Sequence, residues 1–130
     1  MTIKLYNLFI ANWFGIKGRA SRKEYICRFL MMWFLGYIGI LCSDFDKYLD
    51  FSKPNLIAIL ATFLFFLLAC IFILSIIQVF FVTHRRLHDL NTSGWWQLIT
   101  FFPCGQLLMI GLIFYKGTPT TNKYGEPPIN

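Results

Sequence analysis

The sequence predicts an all-α fold, a multi-pass bundle of transmembrane helices. Hydrophobic residues make up 57% of the chain and charged residues 14%, and the apolar residues are gathered into blocks. Soluble domains carry about 45–50% apolar and about 25% charged residues, so this chain needs a solvent other than water. We therefore treat residues 1–130 as a single membrane domain, with three apolar blocks that predict three spans.

Residues 1–20 are expected to form an interfacial segment, a weakly amphipathic helix that precedes the first span. The apolar residues at helical spacing are Leu5, Leu8, Phe9, Trp13 and Ile16. Amphipathic rings such as those of Trp13 and Phe14 settle at the headgroup level of a bilayer. A frayed terminus is the alternative. We do not expect a secretory signal, because residues 1–14 are a mixed stretch and the basic cluster comes after them.

The first span is predicted over residues 25–43. Ser21 and Glu24 have the spacing of a capping box, in which the hydroxyl bonds the Glu24 amide and the carboxylate reaches back to the Ser21 amide. A helix should therefore begin near Arg22. Arg28 lies inside this helix, where its long stem can bring the guanidinium back to the interface.

The second span is predicted over residues 55–83 and the third over residues 95–115. Residues 56–82 carry no charge, and at about 1.5 Å per residue they extend to about 40 Å, which exceeds the roughly 30 Å hydrocarbon core. Pro103 and Gly105 lie near the middle of the third block and either kink it or divide it into a re-entrant hairpin. We favour three full spans, followed by an irregular tail over residues 116–130.

The distribution of Lys and Arg predicts the orientation. Six of these residues precede the uncharged part of the first span, and the second connection carries Arg85 and Arg86. The first connection has two Lys and three Asp. The positive-inside rule therefore places the N-terminus and the second connection in the cytoplasm. Topology explains the net charge of +6, and nucleic acid is not an expected partner.

The candidate binding residues lie at the cytoplasmic edge of the predicted bundle, which we call the rim. They are Arg19, Arg22, Lys23, Arg85, Arg86, His88 and Asp89. Arginines bind phosphate or carboxylate bidentately, and a His beside an Asp can move a proton or hold a metal. We favour a plainer network, in which Arg85 and Arg86 face phospholipid headgroups, His88 and Asp89 pair locally, and Gly94 makes the turn.

The sequence predicts no catalytic residue, metal site or cofactor. His84 and His88 share a helical face, but zinc needs three or four ligands. The interiors of the spans lack the ionisable groups that ion-coupled transporters use. Four cysteines lie in or beside the apolar blocks and are expected to be reduced packing residues. They are Cys27, Cys42, Cys70 and Cys104.

Three blocks of sequence resemble a bacterial membrane protein family, the domain of unknown function 805. They are the G-R-A-S-R-K-E-Y entry over 18–25, the R-R-L-H-D-L-N-T-S-G-W-W block over 85–96, and Gly117 with the N-K-Y-G-E-P-P ending over 122–128. The resemblance implies an inner-membrane location and no activity. The three blocks would sit together only if the tail were cytoplasmic, which supports the re-entrant alternative.

These observations lead us to expect a non-enzymatic accessory protein that contacts anionic phospholipid headgroups or a protein partner through its basic rim. The alternative is a small channel or transporter formed by homo-oligomerisation, because three spans rarely enclose a pathway alone. A third candidate is a membrane enzyme that acts on lipid headgroups, with His88 and Asp89 as acid–base or ligand residues.

Overall fold

The computed structural model describes residues 14–45 and 56–128. Most of the predicted interfacial segment and most of the first connection lie outside these ranges. The described residues form helices and turns, with one isolated β-bridge in the tail. The elements in chain order are α1 (Arg22–Phe45), α2 (Leu56–Asp89), a 3-10 helix (Gly94–Phe101), a 3-10 turn (Pro103–Gly105) and α3 (Gln106–Phe114).

Helix α1 begins where the capping residues predict. The backbone amide of Glu24 donates to Oγ of Ser21 at 3.2 Å, so the serine satisfies one of the free amides of the first turn. The expected return bond from the carboxylate is replaced by a longer-range contact. Oε1 of Glu24 lies 2.6 Å from Nη2 of Arg85, on the other long helix. The capping serine thus sets the start of α1 and frees the carboxylate to join two helices.

Helix α2 runs past the predicted end of the second span and stops in a Schellman motif. Its 34 residues end at Asp89, and Asn91 then adopts a left-handed conformation with φ 59°. The amide of Thr92 donates to Leu87 O at 3.1 Å, and the amide of Asn91 donates to His88 O at 3.0 Å. Asn91, rather than Gly94, therefore makes the left-handed turn that ends this helix.

Helices α1 and α2 are long and apolar enough to cross a membrane. Their most apolar stretches have mean hydropathies of 1.7 and 3.1, and only 6% of the residues in each are buried inside the protein. Large side chains such as Trp33, Phe63 and Phe66 are more than half exposed. Apolar surfaces of this size are stable only against an apolar surrounding.

The third apolar block folds back on itself, and we call residues 94–115 the apolar hairpin. Gly105 packs so closely against the carbonyl of Ile99 that a Cβ at this position would overlap it. Nε2 of Gln106 donates to Thr100 O at 3.1 Å and ties the two arms together. The prediction of three full spans is not confirmed, because this block returns to the end of α2 from which it started.

Candidate functional site at the charged rim

Three separate parts of the chain meet at the C-terminal end of α2. The segment before α1 contributes the amide of Ala20, which donates to Arg85 O at 3.1 Å. The tail contributes the amide of Thr118, which donates to Asp89 O at 2.9 Å. Nδ2 of Asn122 donates to His88 O at 3.0 Å. The carbonyls of His88 and Asp89, which no intrahelical amide can satisfy, thus receive partners from the tail, and Arg85 O receives an additional donor from the segment before α1.

The first charged cluster places one carboxylate between two guanidinium groups. Asp89 Oδ1 accepts from Nε of Arg19 at 2.9 Å and lies 2.8 Å from its Nη2. Asp89 Oδ2 pairs with Nη1 of Arg86, one turn earlier on α2. All three side chains are buried. A buried ion pair requires this kind of geometry, because the lost hydration of each charge must be offset by direct contacts.

Backbone carbonyls occupy the remaining donors of Arg19 and fix the tail. Nη1 of Arg19 donates to Thr120 O at 2.8 Å and to Gly125 O at 3.3 Å, and Nη2 donates to Thr118 O. The tail therefore curls around one guanidinium group. This arrangement orders a Gly- and Pro-containing segment that has no helix of its own.

Arg86 binds the apolar hairpin in the same manner. Its Nε donates to Leu112 O at 3.3 Å, and its Nη2 donates to Tyr115 O at the end of α3. Nη1 also reaches Ala20 O at 3.4 Å. The Arg86 side chain therefore connects the segment before α1, the apolar hairpin and Asp89 of its own helix.

The second charged cluster joins the two long helices directly. Oε1 of Glu24 lies 2.6 Å from Nη2 of Arg85 and 3.1 Å from Nη2 of Arg28. Among the described residues, Nε of Arg85 is buried and has no hydrogen-bond partner. Among the residues that the structure describes, each cluster has two buried cations and one buried carboxylate.

Two histidines on one face of α2 fasten the hairpin and the tail. Nδ1 of His84 lies 3.0 Å from Nε2 of Gln97 in the hairpin. The ring of His88 stacks on Tyr124 with centroids 3.7 Å apart, and its Nδ1 lies 3.2 Å from Gly18 O. Within the described ranges, no third His, Cys, Asp or Glu joins the two histidines in a group that could hold a metal ion.

Two glycines allow the chain to approach these side chains closely. A Cβ on Gly117 would overlap the carboxylate of Asp89, and a Cβ on Gly94 would overlap the ring of His84. The tail and the hairpin can therefore reach α2 only with glycine at these positions. Both glycines belong to the sequence blocks that resemble a known family.

A family model for "Protein of unknown function (DUF805)" matches residues 13–126. The chain belongs to this family. It is 34% identical over 121 residues to the inner membrane protein YhaH of Escherichia coli, which covers 92% of this chain and 91% of YhaH. It is 31% identical over 122 residues to the inner membrane protein YhaI of the same organism, covering 92% and 90%. No solved structure matches.

The relatives in the DUF805 family are inner membrane proteins, which accounts for the exposed apolar surfaces of α1 and α2. The three sequence blocks that resemble the family are the three segments that meet at the rim. Their residues mainly contact one another: Arg19 with Asp89, Glu24 with Arg85, and Gly117 with Asp89. The residues of the family pattern thus form the buried contacts between these three segments.

The predicted rim residues of this DUF805 chain divide into two groups. Arg85 and Arg86 are 2% and 1% exposed and face carboxylates, so the interpretation that they face phospholipid headgroups is wrong. The other buried members are Arg19, His88 and Asp89. Arg22 and Lys23 remain exposed. The local pair that the sequence predicts for Asp89 is present, with Arg86 as its partner.

Several functional neighbours escaped the prediction. The sequence predicts only a capping role for Glu24, whereas the structure also places it in the ion pair between α1 and α2. Asn91 and Asn122, which end α2 and hold its last carbonyls, were not singled out. The signal for Asn122 was its place in the family-like ending, and the signal for Asn91 was the turn cluster 91–94.

Proposed function

We propose that this DUF805 chain is a non-enzymatic accessory protein of the inner membrane that holds anionic phospholipid headgroups at its cytoplasmic face. The observation that carries the proposal is a set of exposed cations around the buried rim. They are Lys17, Arg22, Lys23, Lys116 and Lys123. They come from the region around the start of α1 and from the tail, two of the three segments that meet at the end of α2, so the buried contacts bring them to one end of the molecule.

The charge balance at this end supports an anionic partner. The Lys and Arg side chains are Lys17, Arg19, Arg22, Lys23, Arg28, Arg85, Arg86, Lys116 and Lys123, and the carboxylates are Glu24, Asp89 and Glu126. Each cation near an anionic bilayer surface contributes about 1 kcal/mol of attraction, within a Debye length of about 8–10 Å. Buried arginines position the segments, and exposed cations make the contacts.

The same proposal gives the chain two spans and one re-entrant hairpin, with the start of α1 and the tail both in the cytoplasm. A broken backbone is tolerated at membrane depth only when protein groups satisfy its carbonyls. The hydroxyl of Tyr25 donates to Met109 O at 2.9 Å in α3. Arg86 serves Leu112 O and Tyr115 O. These bonds hold the second arm in place. At the break itself, Ile99 O and Phe102 O accept from the amides of Phe102 and Gly105 at 3.0 and 2.9 Å, and Gln106 donates to Thr100 O, which supports the re-entrant arrangement.

The test compares lipids retained by purified protein. Native mass spectrometry after addition of equal amounts of phosphatidylglycerol and phosphatidylcholine should show preferential retention of phosphatidylglycerol, and the preference should weaken as salt rises. The variant Arg22→Gln/Lys23→Gln/Lys116→Gln/Lys123→Gln should lose it. Glu126→Gln is the matched control, because it changes an exposed charge of opposite sign at the same end.

Two results would overturn the proposal. Equal retention of both lipids by the wild-type chain removes the lipid contact, and the cations would then serve a protein partner that co-purification from native membranes identifies. Ion or solute flux through vesicles that contain only the purified protein would instead establish a channel or transporter. Trypsin cleavage in sealed, oriented vesicles tests the topology, because its sites at Lys17–Lys23 and at Lys116 and Lys123 should be accessible from the same side.

A further inference from the structure

The apolar hairpin has the length of half a membrane. Its first arm, the 3-10 helix, has 8 residues and extends to about 16 Å at about 2.0 Å per residue. Its second arm, α3, has 9 residues and extends to about 14 Å at about 1.5 Å per residue. Half of a hydrocarbon core of roughly 30 Å is about 15 Å. Both arms therefore match one leaflet.

The exposed side chains of the hairpin are distributed as a single leaflet requires. At the turn, Phe101 and Leu107 are 76% and 71% exposed, and both are fully apolar. At the feet of the two arms, Trp95 and Tyr115 are similarly exposed and carry a polar atom on an aromatic ring. Amphipathic rings collect at the boundary between headgroups and acyl chains, and here they lie at one level only. Exposed Lys116, which follows Tyr115, adds a cation at that level.

The long helices occupy both leaflets of the bilayer, whereas the hairpin occupies only one. Helices α1 and α2 are long enough to cross both leaflets. The hairpin instead starts and ends at the rim, where Arg86 donates to Tyr115 O and the amide of Thr118 donates to Asp89 O. A helix about 10 Å across has a cross-section of about 80 Å², so the two arms add roughly 160 Å² to one leaflet. The cytoplasmic leaflet then contains about four helical cross-sections and the opposite leaflet two.

We propose that the apolar hairpin inserts among the acyl chains of the cytoplasmic leaflet only and acts there as a wedge. The protein then favours membranes whose cytoplasmic leaflet is convex. This inference rests on the topology in the proposed function. Convex curvature expands the outer face of a bilayer relative to the inner face, and a molecule that is wider on that side fits the expanded leaflet. The chain would therefore concentrate where the cytoplasmic leaflet is convex or loosely packed.

The experiment measures protein density against vesicle diameter for each orientation. Fluorescently labelled full-length protein is reconstituted into phosphatidylcholine vesicles, whose neutral headgroups remove the contribution of the exposed cations. Vesicles of a broad range of diameters are imaged singly, and a cleavable tag at the C-terminus reports whether the rim faces outward. Protein per lipid should rise as diameter falls for molecules with the rim outside and should fall for molecules with the rim inside.

The opposite orientation is an internal control, because both populations contain the same folded chain. Equal slopes for the two orientations, or no dependence on diameter in either, would overturn the wedge. The variant Arg22→Gln/Lys23→Gln should keep the wild-type slopes, since neither residue belongs to the hairpin; a loss of slope would assign the effect to charge and also reject the wedge. If trypsin reaches the tail and the start of α1 from opposite sides of sealed vesicles, the topology fails independently of any curvature result.

Discussion

Replacing Asp89 by Asn should destabilise the rim and loosen the attachment of the tail. The substitution keeps the size of the side chain and removes the only carboxylate in the first charged cluster. Arg19 and Arg86 would then remain as two buried cations without a counter-charge. The side-chain exposures in these pairs are 1% for each arginine and 4% for Asp89, so solvent screens the interaction little.

The expected loss follows from the burial of the arginines. Breaking a buried ion pair by removing one partner costs about 3–5 kcal/mol, because the other charge stays desolvated. At about 1.36 kcal/mol for each tenfold change, this corresponds to a roughly 10²–10⁴-fold lower folding equilibrium constant. The hydrogen bonds from Arg19 to Thr120 O and Gly125 O do not involve the Asp89 carboxylate, so Asp89→Asn leaves them in place. They limit the loss in the free energy of unfolding.

The assay is unfolding in mixed detergent micelles, followed by tryptophan fluorescence, with trypsin cleavage after Lys123 as a second readout for release of the tail. Glu126→Gln, an exposed neutralisation in the same tail, should change stability by less than about 0.5 kcal/mol. The double variant Arg19→Gln/Asp89→Asn should lose less than the sum of the single variants, because the pair is coupled. An unchanged unfolding midpoint and cleavage rate for Asp89→Asn would refute the reasoning.

Three further substitutions test other contacts of the rim and the hairpin. Gly117→Ala should destabilise the protein by about 1–3 kcal/mol, because the new methyl group overlaps the Asp89 carboxylate, and an unfolding midpoint equal to that of the wild type would contradict this. Tyr25→Phe should cost about 0.5–1.5 kcal/mol in the same unfolding assay by removing the hydroxyl bond to Met109 O; an equal midpoint would show that this bond contributes no net stability. Asn91→Val should cost about 1–2 kcal/mol in its left-handed conformation while Asn91→Gly stays near wild type, and equal losses would show that the Asn91 side chain, not its backbone, matters.

The sequence was sufficient for features that depend on local spacing. Ser21 and Glu24 predicted the start of α1, because an N-cap bond joins residues three positions apart. The shared face of His84 and His88 followed from a separation of one helical turn, and their ring centroids lie 4.6 Å apart. The apolar blocks predicted the long helices, because length and hydropathy are properties of composition.

The burial of the rim could not be predicted in this way. Whether Arg85 meets a lipid phosphate or Glu24 depends on a contact across 61 positions, and the contacts of Arg19 with the tail span about a hundred. Charge pattern alone treats every arginine at a membrane edge as a headgroup ligand. Pro103 and Gly105 likewise signalled a break without deciding between a kink and a reversal, because the reversal depends on how closely Gly105 packs against Ile99.

The contacts of Arg19 impose an order on the making of the protein. Its guanidinium is held by carbonyl oxygens of residues 118, 120 and 125, which the ribosome adds about a hundred residues after Arg19 itself. Both long helices can enter the membrane before those carbonyls exist, with this arginine still hydrated at the surface. The rim can therefore close only after the tail has been synthesised, later than the insertion of both long helices.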